Sequence, residues 1–314
     1  MAIKKTEKAG LGIALGAMTV FGTAGAGHAL ASRGSDAKPA ALAPRPACGV
    51  TGYELAIDYT FGTEGNVRNL ADLDRLFTHD APWGRINEEL ETFPPFNARN
   101  HVFEKDCLAL TGLHDGSTNY TEYGHITSGA LVSRSTCGAP CIVEWIVKQP
   151  AGRGVWPAVW LYDTHSGRHD SSEIDVLESQ NNPLHHLDRS MVFQYDHGPG
   201  AGDVLEDPGG LGKDGFWRPY GPMPQGDLSA RYAAYSVLWL PDRTTRFVDD
   251  KRGITRAFRW TGPAPANILV YQSIGSAKLD WPGPVLPQTF TGDNAVFRIR
   301  SIRVFKPVRE GGAR

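Results

Sequence analysis

Ser172-Glu173-Ile174-Asp175-Val176-Leu177-Glu178 is the stretch on which the reading of this chain turns. Three carboxylates are interleaved with large apolar residues. In a strand, residues two apart share a face. Glu173 and Asp175 therefore point one way, and Ile174 and Val176 point the other, into a core. Regular alternation next places Leu177 beside the acids, so the third carboxylate comes one step late. A β-bulge with Leu177 as the extra residue returns Glu178 to the acidic face. The segment is predicted to be a half-buried strand, apolar on one side and acidic on the other.

The same two-residue rhythm extends in both directions. Short apolar and aromatic runs recur between turn residues: Gly129 to Ser133, Ile142 to Val147, Ala158 to Tyr162, Met191 to Tyr195, Tyr235 to Leu240, Arg246 to Val248, Ile268 to Tyr271 and Phe297 to Phe305. In the last of these, Phe297, Ile299 and Ser301 fall on one side and Arg298, Arg300 and Ile302 on the other, with a switch near the end. No long segment has a 3.6-residue period; Asn69 to Phe77 is predicted as a short helix. The 36 glycines and 22 prolines fit strands joined by many turns. The fold class read from this is all-β, two stacked antiparallel sheets. Asp196 to Gly226 lacks periodicity and is predicted to be a long loop that lines or covers a site.

The ends of the chain read differently. Lys4, Lys5 and Lys8 precede an apolar, small-residue run from Leu11 to about Ala26, and Ala29-Leu30-Ala31 matches a small-x-small cleavage site. Residues 1–31 are expected to be a secretory signal, too short and glycine-rich for a membrane span. Residues 32–47 read as an Ala/Pro/Ser-rich linker, 48–308 as one domain and 309–314 as a tail. Cleavage removes three lysines and one glutamate, leaving the rest two charges more acidic than the full chain's −2. That charge argues against nucleic acid or an anionic membrane as a partner. The mature chain is expected to be secreted, extracellular or periplasmic, and to act as a monomer.

An exported chain with Cys48, Cys107, Cys137 and Cys141 is expected to form two disulfides. Three pairings are possible. Cys137-Gly-Ala-Pro-Cys141 has the form of a local clip across a turn, which leaves Cys48 with Cys107. No paired C-x-x-C spacing supports a zinc site. No cofactor or metal is expected.

Acids on one sheet face invite a chemical reading. Glycosidic cleavage uses two carboxyl groups flanking the bond, about 5–5.5 Å apart in retaining enzymes. With the bulge counted as one step, Glu173 and Glu178 are four strand positions apart, roughly 13 Å between backbones, a gap that long glutamate arms on a concave sheet narrow. Asp175 between them supplies negative charge that raises a neighbouring carboxyl pKa, as an acid catalyst near neutrality requires. Upstream lies Gly154-Val155-Trp156-Pro157-Ala158-Val159-Trp160-Leu161, whose indoles have the rigid apolar surface that stacks on sugar rings. Of the two, Trp156 is read as a cleft wall and Trp160 as closer to the core.

Together these two stretches resemble glycoside hydrolase family 16, in particular its laminarinase-like branch with the bulged Glu-x-Asp-x-x-Glu motif. Ser128-Gly129-Ala130-Leu131, Tyr235-Ser236-Val237-Leu238-Trp239, Phe247-Val248-Asp249-Asp250, Trp281-Pro282-Gly283 and Ile302-Arg303-Val304-Phe305 match further family segments in order, so the resemblance runs from about residue 100 to 306. It departs at Ala233, where the family often has His, and at Leu238, where it usually has Glu. The segment from Phe61 to Asn100 matches nothing in the family. The resemblance implies a β-jelly-roll sandwich with a concave substrate cleft. It also implies Glu173 as nucleophile, Glu178 as acid/base and Asp175 as the residue assisting them.

The expected activity is endo-acting, retaining hydrolysis of a β-linked polysaccharide, either a β-1,3-glucan or a bacterial exopolysaccharide. Two rival readings stand beside it: a transglycosylase remodelling such a polymer, and a noncatalytic polysaccharide-binding sandwich. The substrate-binding candidates are Trp156, Trp160, His197 and Trp281. His185 and His186, next to Pro183, read as surface loop rather than metal ligands.

Overall fold

The computed structural model describes residues 44–79, 84–85, 87–164, 172–206, 226–280 and 282–309. The predicted signal, most of the linker, Trp281, and all of the tail except Arg309 lie outside these residues.

The strands run in chain order. β1 (Tyr53–Thr60), β2 (Phe77–Thr78), β3 (Glu91–Thr92), β4 (His101–Phe103), β5 (Leu108–Thr111), β6 (Leu113–His114) and β7 (Ile126–Thr127) come first. β8 (Ala130–Cys137), β9 (Cys141–Lys148), β10 (Val155–Tyr162), β11 (Glu173–Glu178), β12 (Phe193–His197) and β13 (Ala201–Glu206) follow. β14 (Ala233–Leu240), β15 (Arg243–Val248), β16 (Lys251–Phe258), β17 (Ala266–Ile274) and β18 (Val296–Pro307) complete the set. An outer sheet runs β13-β16-β15-β14-β9-β18-β5-β4, with β1 also on β18; an inner sheet runs β12-β11-β10-β17-β8-β2. Every pairing within these two sheets is antiparallel. The all-β sandwich is as expected. A small third sheet, β3-β7-β6, is partly parallel.

Alternation decides which side chains meet between the sheets. Leu131, Val159, Leu161, Ile268 and Val270 of the inner sheet pack in one cluster with Val143, Trp145, Val147, Tyr235, Val237 and Trp239 of the outer sheet. Each such fully buried side chain contributes about 1.5–3 kcal/mol from removal of apolar surface from water. β18 supplies Phe297 and Ile299, then Ile302 and Val304. Its phase changes because its register against β9 slips between Ile299 and Ser301, which is the switch read in the sequence. The short helix is also present, as α1 (Leu70–Leu76). The Asn69 side chain accepts from the Asp72 amide at 3.0 Å, a helix start of the expected chemistry. Extended Phe77 ends the helix and opens β2.

Two expectations need correction. Asp196 and His197 belong to β12, and Ala201–Glu206 is a strand paired with β16, so the predicted loop is shorter than Asp196 to Gly226; residues 207–225 lie outside the described part. The second correction concerns the cysteines, all four of which are free thiols. Cys48 belongs to a small cluster with Ile142, Phe247 and Phe305 near the end of β18, whereas Cys107 precedes Leu108, which pairs with Ile299. Ile299 and Phe305 are roughly 20 Å apart along a strand at 3.3 Å per residue, and a disulfide needs Cα atoms within about 7 Å. The Cys48–Cys107 pairing is therefore excluded by the topology. The predicted turn does bring Cys137 and Cys141 together, with their sulfurs 3.3 Å apart. Among the described residues, no helix is long and apolar enough to cross a membrane.

Candidate active site

β11 lies between β10 and β12, and their registers place the acids. Glu173 pairs with Tyr162 and His197, Asp175 with Trp160 and Tyr195, and Glu178 with Ala158 and Phe193. Paired residues point to the same face. Glu173, Asp175 and Glu178 thus share the side of the inner sheet that is turned away from the core. Ile174, Val176 and Leu177 are all fully buried between the sheets.

The bulge exists, with one refinement. On β10, Val159 pairs with Leu177 and Trp160 with Asp175, so Val176 has no rung partner there. On β12, the register steps from Asp175–Tyr195 to Glu178–Phe193, so Val176 and Leu177 together face Gln194. The extra residue is a shared property of Val176 and Leu177, and both of their side chains turn inward.

Trp156 and Trp160 both stand on the acid-bearing side of β10. Trp156 donates from Nε1 to Glu178 Oε1 at 3.0 Å, so it orients that carboxyl directly. Trp160, read as nearer the core, belongs to an aromatic floor beside the acids. Its ring lies 5.4 Å from Tyr162 and 5.5 Å from Tyr271, and Phe93 stands edge-on to Tyr271 at 5.1 Å. His197 holds its Nε2 3.2 Å from Asp175 Oδ2 and its ring 4.5 Å from that of Tyr195. Tyr162, Tyr195, Tyr271 and Phe93 were not singled out from the sequence. For Tyr162, the two-step spacing from Trp160 was the available signal. Tyr195 precedes His197 by the same two steps.

The surroundings hold protons on this cluster. Burial pushes the Glu173 carboxyl well above the usual carboxylate range, and the charges of Asp175 and Glu178 add to the shift. Glu178 is likewise raised, first by burial and then by Asp175, against the opposing hydrogen bond from Trp156. Both carboxyls therefore hold their protons more tightly than an exposed glutamate does. Glu173, Asp175 and His197 also bring one ligand atom each within 4.8 Å of one another, which is a possible three-point seat for a cation. The His197 contact to Asp175 already ties two of these three groups together.

No protein-family model matches the chain. Over 183 residues, 54% of this chain, it is 27% identical to glucan endo-1,3-beta-glucosidase A1 of Niallia circulans, a stretch spanning only 24% of that relative. The structure is similar to that of the endo-beta-1,3-glucanase from Pyrococcus furiosus, with a TM-score of 0.60, 23% identity, and 82% of this chain and 95% of that one covered. It is also similar to SCLam, a non-specific endo-beta-1,3(4)-glucanase from family GH16, with a TM-score of 0.56, 19% identity, and 82% and 93% covered. The likeness covers 82% of this chain in both cases, and the sandwich of this chain is the fold of these endo-β-1,3-glucanases.

Proposed function

We propose that this chain is a secreted, monomeric, endo-acting retaining glycoside hydrolase whose substrate is a β-linked polysaccharide, a β-1,3-glucan first. The observation that carries this reading is the gathering of Glu173, Asp175 and Glu178 on the open face of the inner sheet by a bulge that buries Ile174, Val176 and Leu177. A binding module has no use for two carboxyls raised in pKa on one strand. The partial likeness to a glucan endo-1,3-beta-glucosidase supports the choice of linkage.

The chemistry follows from two carboxyl groups on one face of one strand. Ionised Glu173 attacks the anomeric carbon while protonated Glu178 gives its proton to the departing glycosidic oxygen. A glycosyl ester on Glu173 results. Glu178, now a carboxylate, takes a proton from water; the water oxygen bonds to the anomeric carbon and Glu173 leaves as carboxylate. Two inversions give net retention. Proton NMR of the first-formed anomer is expected to show β product from a β linkage, and initial α product rules the mechanism out. Incubation with laminarin, lichenan, agarose, carrageenan and succinoglycan-type polymers, followed by product sizing, is expected to show mid-chain cuts in laminarin.

Asp175 gives a pH test. Its charge raises Glu178, so Asp175→Asn lowers the Glu178 pKa and the acid loses its proton at lower pH. The alkaline limb of kcat/KM against pH is expected to move toward acid. An unmoved limb would show that another group holds the catalytic proton.

A further inference from the structure

Beneath the acids, on the core side of the same strands, lies a charged group that the reaction as written does not use. Arg246, from β15 of the outer sheet, is completely buried. Its Nε donates to the main-chain oxygen of Asp175 at 2.9 Å, and one terminal nitrogen donates to the main-chain oxygen of Tyr195. Asp175 and Tyr195 are opposite each other, and theirs is the last regular rung before the bulge. Asp196 faces the same guanidinium, accepting at 2.9 Å and 2.5 Å, and Thr244 Oγ1 bonds to both Asp196 and Arg246. All three guanidinium nitrogens are engaged.

A bulge is where a ladder is weakest: its extra residue goes unpaired, and a slip of one residue reverses side-chain faces. Here, the weak point is fastened from below at two places. Arg246 ties the rung before it. Within it, Gln194 Nε2 donates to the main-chain oxygen of Val176 at 3.3 Å. Gln194 has room because residue 253 is glycine; a Cβ there would stand 2.5 Å from Gln194 Oε1. A buried ion pair is a poor way to gain stability over apolar packing of the same volume. A flat fork with donors for two carbonyls does what an apolar side chain cannot, which is to fix two strands relative to each other.

We propose that Arg246, braced by Asp196, is a positioning residue for glycoside cleavage: it clamps β11 to β12 at the bulge and so sets the spacing of Glu173 and Glu178. The proposal rests on the hydrolase reading above, and its test has one arm independent of activity. The charge-neutral variant Arg246→Met/Asp196→Leu avoids an unpaired buried charge, and Val304→Ala, a core truncation in the outer sheet, serves as a stability-matched control. Hydrogen exchange of the amides in 174–178 and 194–196 is expected to quicken selectively in the double variant, with β17 and β8 unchanged. In the laminarin assay its kcat is expected to fall by about a hundredfold, with KM held within about threefold, while Val304→Ala keeps the wild-type kcat. Arg246→Lys keeps the charge without the fork and is expected to lose kcat as well. Uniform exchange across the inner sheet, wild-type kcat in the double variant, or full kcat in Arg246→Lys would each overturn the clamp. A wild-type chain inert on all five polymers would refute the hydrolase reading and leave the exchange result to decide the clamp.

Discussion

Glu173→Ala is expected to lower polymer hydrolysis by roughly four orders of magnitude or more, the scale on which loss of a covalent nucleophile acts. Added azide is expected to restore part of the turnover on an activated aryl glycoside by entering the space vacated by the carboxylate. It then attacks from the face opposite the leaving group and yields an α-glycosyl azide. A melt separates this loss from unfolding. Because the folded pKa of Glu173 lies above its unfolded value, the group favours the folded state only at pH below the unfolded value, and that contribution is lost as pH rises. Its removal should therefore raise the melting temperature at pH 7 more than at pH 4. Near-wild-type turnover on polymer would remove Glu173 from the chemistry. A lower melting temperature at pH 7 would instead assign the loss to misfolding.

One alanine inserted after Leu177 is expected to be the other severe change. It moves Glu178 a further step along β11, and one step reverses the face of a side chain. The carboxyl then turns toward the core where Val176 and Leu177 lie, and a carboxylate without a partner there costs several kcal/mol. Circular dichroism and a thermal melt beside a reducing-sugar assay are expected to show an inactive protein of reduced stability. Full activity would mean that strand register does not position Glu178. Deleting Leu177 restores plain alternation in Glu-Ile-Asp-Val-Glu, yet it withdraws a completely buried side chain. It is expected to cost about 2–5 kcal/mol, the range for large core truncations.

What the sequence made legible was whatever obeyed a short-range rule. The late arrival of Glu178 implied a bulge because strand faces repeat every two residues. The slip in β18 and the helix after Asn69 were visible for similar reasons. The Arg246–Asp196 pair was hidden. Asp196 stood at the start of the predicted loop, and nothing local says that two residues fifty positions apart meet inside a core. Trp160 is a buried member of the aromatic cluster beside the acids, while Trp156 reaches Glu178, which matches their reading as core-like and cleft-like. The Cys48–Cys107 pairing failed because proximity across a sandwich depends on where along β18 each neighbour docks, and a count of cysteines carries no such information.

The place of β18 has a consequence in time. It is the latest strand to be synthesised among those described, and yet it stands inside the outer sheet, bonded to β9, β5 and β1. Until residues 296–307 emerge, β9 lacks one neighbour and β1 lacks the strand with which it pairs. Closure then needs contacts between segments more than two hundred residues apart, a topology that folds slowly. The outer sheet of a chain leaving the ribosome thus stays open at β9 and β1 until β18 has emerged, and the order of the strands defers compaction to that moment.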